Sequence, residues 1–142
     1  MSAVKLVTVF AENKLGQMAR ITQVLAEAQI NIRCVTVATT EKFGVIKFLV
    51  DQCDLACQSL KSRGFTVSLN DVLAVEVEDK PGGLHAVAEV LTRQGINVEN
   101  ASGFVASRRA VVLIEVQDAA RASQALEPDG LHLLTQDELL HL

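Results

Sequence analysis

The chain has 142 residues, 49% of them hydrophobic, and a net charge of −4. That is apolar matter for one good core or two small ones, and the wrong charge balance for a nucleic-acid backbone, which is gripped by clustered Lys and Arg. Five Phe, no Tyr and no Trp leave no platform on which bases could stack.

No stretch reads as a signal peptide, and the apolar runs stay far below the about 18 residues a membrane span needs. A cytoplasmic protein is therefore expected. Three cysteines, an odd number, fit a reducing compartment and no disulfide framework.

In chain order, residues 5–10 form a β-rich run with Val7 and Val9 on one face. A helix is predicted over 16–28, where Met18, Ile21, Val24, Leu25 and Ala28 make one apolar stripe. Residues 30–40 are β-branched and strand-like. A further strand follows over 43–50, with Ile46, Phe48 and Val50 alternating against Val45, Lys47 and Leu49. Asp51 is placed to cap the next helix, and Asp54 suits the positive end of its dipole. That helix carries Cys53, Ala56, Cys57 and Leu60 on one face and stops at Gly64, a left-handed cap; a strand over 65–69 follows. Asn70-Asp71 is the one turn signal at mid-chain.

The order then returns. Strands are predicted over 72–77, 96–106, 109–116 and 131–134, with helices over 83–94 and 119–126. Residues 135–142, with Leu139, Leu140 and Leu142, read as a tail ending in a helical turn. Shifting the chain by 66 positions lays Glu12-Asn13-Lys14-Leu15-Gly16-Gln17-Met18 on Glu78-Asp79-Lys80-Pro81-Gly82-Gly83-Leu84. The same shift lays Ile30-Asn31-Ile32 on Ile96-Asn97-Val98 and Gly64 on Gly130. A period of this length suits a small domain rather than a solenoid repeat. The fold class that follows is α+β: two tandem ferredoxin-like βαββαβ domains, 1–70 and 71–142, each a four-stranded antiparallel sheet with two helices on one face. On the other face Leu6, Phe10, Val45, Leu49, Val111 and Leu113 form apolar area; it is either covered within the chain or used for homodimerisation.

The loop after the first strand of each copy is the best candidate site. Its Gly lets a backbone approach a ligand, and the helix it opens presents unpaired N–H groups that suit a carboxylate. Asn13 can donate or accept, whereas ionised Asp79 only accepts and favours an ammonium. The plainer reading is a tight strand-to-helix turn, which duplication would copy as readily as a site. Asn31 and Asn97, between apolar neighbours, are either turn residues or ligand contacts beside the loop or across an interface.

The Glu-Asn-Lys-x-Gly loop, the helix after it and the Ile-Asn-Ile step, all occurring twice, resemble the ACT domain, a small regulatory module that binds amino acids. The resemblance spans nearly the whole chain as two tandem copies. It implies an effector between paired domains, held by the first loop of each and reached by an Asn from the partner. The residues placed by it are Ala11, Asn13, Leu15, Gly16, Gln17 and Met18, with Asn97, and Val77, Asp79, Pro81, Gly82, Gly83 and Leu84, with Asn31. Asp79 stands where the first copy has Asn, and Ala11 and Val77 are apolar where some members carry a polar contact.

The remaining polar residues assemble no reaction centre. His85, His132 and His141 are scattered and make no metal set; His85 is a solvated helix residue or a ligand contact. Cys53 and Cys57 share the stripe of Ala56 and Leu60, and the second copy has Ala119 and Ser123 there, so they read as core packing. There is no Gly-x-Ser-x-Gly elbow, P-loop or Gly-x-Gly-x-x-Gly, so no catalytic residue, metal or cofactor is assigned. The expectation is a non-catalytic sensor of a small amino acid, a homodimer acting on a partner enzyme, with no nucleic-acid or membrane partner. The alternatives are a ligand-free dimerisation adaptor and, less favoured, a small enzyme such as an acylphosphatase. The latter needs an Arg around its phosphate loop, and where Arg20 and Arg33 stand near the first loop the second copy has Ala86 and Glu99.

Overall fold

Strand alternation and helical spacing take turns along the chain, and the computed structural model, which describes residues 3–142, folds accordingly. Two units result: residues 5–70, and residues 71–142 together with Ala3 and Val4. The first holds β1 (Ala3–Glu12), α1 (Gln17–Glu27), β2 (Ile32–Thr39), β3 (Phe43–Val50), α2 (Cys53–Ser62) and the start of β4 (Thr66–Val77). β1 and β2 flank β3, both antiparallel to it. Val7 lies opposite Phe48 and Val9 opposite Ile46, so all four share a face. The helices bring Ile21, Val24, Leu25, Ala56, Cys57 and Leu60 to that face and close a core. The two cysteines are thus packing residues, as their stripe predicts.

In the second unit the rest of β4 is followed by α3 (Gly83–Arg93), β5 (Asn100–Ala106), β6 (Arg109–Glu115), α4 (Ala119–Leu126), β7 (His132–Leu134) and α5 (Gln136–Leu140). The strand order is β7-β4-β6-β5, all pairs antiparallel. Leu73, Val75, Val112 and Ile114 meet Val87, Val90, Leu91, Ala122 and Leu126 in a second core. Each unit is therefore a ferredoxin-like sandwich, the fold class read from the sequence. The tail forms α5, started by a capping box: Thr135 accepts from the Glu138 N–H and Glu138 accepts from the Thr135 N–H.

Three local expectations are corrected. Asn70-Asp71 makes no turn; β4 runs straight through it. With neither Gly nor Pro to break the strand, the Asn70 carboxamide finds a partner in place, accepting from Ser68 Oγ at 3.2 Å. Asp51 does not cap α2. Its carboxylate accepts the Asn31 N–H at 3.1 Å, and α2 begins from Gln52 without a side-chain cap. The strand predicted over 96–106 starts only at Asn100. Gly95, at φ +69°, ends α3, and the Ile96 N–H closes back on Leu91 O at 2.9 Å, so residues 96–98 are irregular chain outside the ladder. On the faces away from the helices Leu6, Leu49, Val111 and Leu113 are buried within the single chain, whereas Phe10 is 47% exposed.

Candidate functional site

Both loops singled out from the sequence end in a left-handed glycine, Gly16 at φ +84° and Gly82 at φ +92°, which occupies the N-cap of the following helix. Neither helix has a side-chain cap; the Gln17 and Gly83 N–H groups turn back to Lys14 O and Lys80 O at 3.2 and 3.0 Å, and the next N–H groups of α1 and α3 are left to solvent or a ligand. Each loop also pairs its Lys with its Glu, Lys14 with Glu12 at 3.7 Å and Lys80 with Glu78 at 2.5 Å; beyond that the two differ.

In the first unit Asn13 is a latch. Its N–H donates to Lys42 O at 2.8 Å and its side-chain amide donates to Thr40 O at 3.2 Å, tying the loop to the β2–β3 turn. Ala11, Asn13, Gln17 and Met18 line a cavity of only about 120 Å3. Leu15 is fully exposed and lines none of the described cavities. A second hollow of about 270 Å3 lies beside it, against Phe10, Arg20 and Phe65. Arg20 occupies its wall: the guanidinium sits 5.5 Å from the centre of the Phe65 ring and donates to Gln17 Oε1 at 2.8 Å.

The equivalent place in the second unit is a cavity of about 730 Å3, within the range of small-molecule sites, about 300–1,000 Å3. Of the residues expected there from the sequence, Val77, Asp79, Gly82 and Gly83 line this cavity; Pro81 and Leu84 do not. Ala86 stands where the first unit has Arg20, which is why this cavity is open. Gly83 is demanded by space: a Cβ there would lie 2.1 Å from Glu78 O.

Sequence reasoning missed the charged wall of this cavity. Arg109 grips Glu76 with two hydrogen bonds, Nε to Oε2 at 2.9 Å and Nη2 to Oε1 at 2.8 Å. The guanidinium holds the Glu76 carboxyl below the usual carboxylate range, with His132 adding to the effect. A signal was present in the repeat: the same two positions in the first copy are Phe10 and Phe43, so both change character together. Because the Glu76 pKa is depressed on folding, its contribution is present above the ordinary Glu pKa and is lost as pH falls through the folded value. Arg109→Ala is thus expected to flatten the acid arm of a stability–pH curve, read as melting temperature from pH 7 downwards. An unchanged acid arm would deny the pair that role.

Arg108, beside this pair, is left-handed at φ +61°, and Ser107 at φ +51°. Two positive φ values in a two-residue connection make a type I′ turn, normally built from Asn and Gly; each L side chain there costs about 1–2 kcal/mol. The matching residues of the first hairpin, Glu41 and Lys42, have no positive φ.

Asn31 and Asn97 lie elsewhere. β2 runs parallel to β1, both being antiparallel to β3, so Asn31 sits near Asp51, at the sheet end opposite its own unit's loop. Asn97 lines a separate hollow of about 200 Å3 with Asp118 and Arg121. Within neither unit is the Asn beside the loop. The histidines pair with acids on the surface, His85 with Glu89 at 3.5 Å, His132 with Glu138 at 3.3 Å and His141 with Asp137 at 3.5 Å. Among the described residues no group of three His, Cys, Asp or Glu could hold a metal, and no helix is long and apolar enough to cross a membrane.

Two βαββαβ units with glycine-ended loops at their first helices define a tandem ferredoxin-like fold, and comparison with known proteins agrees. The family model described as "ACT domain pair" matches residues 1–142. The chain belongs to the ACT domain family, as such a pair. No curated protein sequence matches it. Protein BT0572 from Bacteroides thetaiotaomicron is similar in structure, with a TM-score of 0.92 at 28% identity over 99% of this chain and 97% of that one. The regulatory subunit of aspartate kinase from Thermus thermophilus, in ligand-free form, has a TM-score of 0.62 at 18% identity over 92% of this chain and 94% of its own. That from Thermus flavus has a TM-score of 0.61 at 16% identity, over 90% and 93%; at such identities the likeness is one of fold.

Proposed function

We propose that this ACT domain pair, with domains 1–70 and 71–142, is a non-catalytic regulatory protein that binds a small amino acid between paired domains, at a first-helix loop. The observation that carries this is the cavity of about 730 Å3 at the loop from Glu78 to Gly83, which joins charges of both signs to an uncapped helix start. An α-amino acid needs that combination: a donor for its carboxylate, an acceptor for its ammonium, and room for a side chain. The similarity in fold to aspartate kinase regulatory subunits supports a regulatory role. The setting proposed with it is a cytoplasmic homodimer acting on a partner enzyme, with Asn31 and Asn97 contributing from paired domains.

Regulation of this kind requires that the ligand bind one arrangement of the protein better than another. A thermal-shift screen against the twenty amino acids tests the first step. A ligand at about 100 times its Kd adds about 2.7 kcal/mol, a rise of several degrees in Tm. A selective rise is expected, reduced in Asp79→Ala. No rise with any of the twenty would favour the dimerisation adaptor.

A further inference from the structure

We propose that the chain binds a single amino-acid zwitterion, in the second unit alone, with the carboxylate on Arg108 and the ammonium on Asp79. This rests on the amino-acid reading above and adds to it a stoichiometry and a pair of contacts.

The charges of the large cavity sort themselves. Its acids are Glu76, Glu78 and Asp79 and its bases Lys80, Arg108 and Arg109, with His132 besides, paired to Glu138 outside it. Arg109 takes Glu76 and Lys80 takes Glu78, the latter at 2.5 Å. Among the described residues Asp79 and Arg108 alone of these six are left without an ion pair or hydrogen bond. One unmatched acid and one unmatched base lining the same cavity complement a zwitterion. A simple anion or cation would meet one of them as a like charge. Arg108 is moreover held where glycine is the comfortable residue, and strained backbone at an unpartnered charge is characteristic of binding sites.

The first unit keeps the Lys14–Glu12 pair and has Lys42 in the place of Arg108, but Lys42 lines neither hollow there, and the rest is missing. Asn13, in the place of Asp79, is committed to Thr40 O. Phe10 and Phe43 replace the Glu76–Arg109 pair. Arg20, in the place of Ala86, lies over Phe65 and on Gln17 in the wall of a hollow of about 270 Å3, and the cavity on Asn13 measures only about 120 Å3. The duplicated loop thus persists as structure in the first copy and as a site in the second.

The test is calorimetric titration of the full chain with whichever of the twenty amino acids gives the largest thermal shift. One ligand per chain is expected. Arg108→Gly and Arg108→Asn, both at ease in left-handed backbone, should raise the Tm of the free protein and weaken binding by roughly tenfold or more, the scale of a lost charge-assisted hydrogen bond. Arg20→Ala should leave affinity and stoichiometry unchanged. Two ligands per chain, full affinity in both Arg108 variants, or binding lost in Arg20→Ala would each overturn the proposal while leaving the amino-acid reading standing. A screen in which no amino acid raises the Tm would remove that reading, and this proposal with it.

Discussion

Gly83→Ala is expected to destabilise the protein by about 3 kcal/mol, the upper end of what overpacking a tight site costs. The added methyl would lie 2.1 Å from Glu78 O and 3.1 Å from Glu78 C, both backbone atoms. No side chain can swing aside to make room. Moving the loop would break the Lys80 N–H to Glu78 O bond of 2.9 Å or the Gly83 N–H to Lys80 O bond of 3.0 Å. The same position in the first copy is Gln17, where a side chain is accommodated; Gln17→Ala is expected to change stability by about 0.5 kcal/mol or less. Urea denaturation followed by far-UV circular dichroism measures both, the chain having no Trp or Tyr for fluorescence. A Gly83→Ala protein as stable as the parent would show that the loop yields without cost.

Phe48→Ala should cost still more, about 3–5 kcal/mol. Phe48 has no exposed surface, and it lies between Val7 on one neighbouring strand and Val35 on the other, under the helical layer. Its removal leaves a void lined by strands and helices that are themselves tied by backbone hydrogen bonds, so the site cannot collapse. Against a total stability of about 5–15 kcal/mol for a typical domain this is a large fraction. Glu41→Ala, in the exposed β2–β3 turn, is the control, expected within about 0.5 kcal/mol of the parent. A loss below about 1 kcal/mol at Phe48 would contradict a close-packed core there.

Taken together, the two substitutions separate the parts of the molecule by how they can be found. Phe48 was legible as a core residue because strand alternation puts it on one face with Ile46 and Val50, whatever the rest of the chain does. Gly83 was legible only as a loop glycine. Nothing in the sequence tells a glycine chosen for φ, as Gly82 is, from one chosen because a carbonyl stands in the way of its Cβ. The same limit applies to the turns. Asn70-Asp71 is a turn pair by composition and strand by context, whereas Ser107-Arg108 has no turn signature and makes a two-residue turn with both φ values positive.

The sequence by itself determined the duplication, the βαββαβ order of each copy, the two cores and the identity of the loops, because these rest on periodicity and on residues a few positions apart. Only the tertiary structure decided that the two loops differ. Glu76 and Arg109 are 33 residues apart and meet across neighbouring strands. Arg20 reaches Phe65, just before β4, and Asn13 is spent on a hairpin 27 residues away. Contacts of that separation follow from how sheet register and helix packing bring distant segments together, and a local pattern carries no record of them.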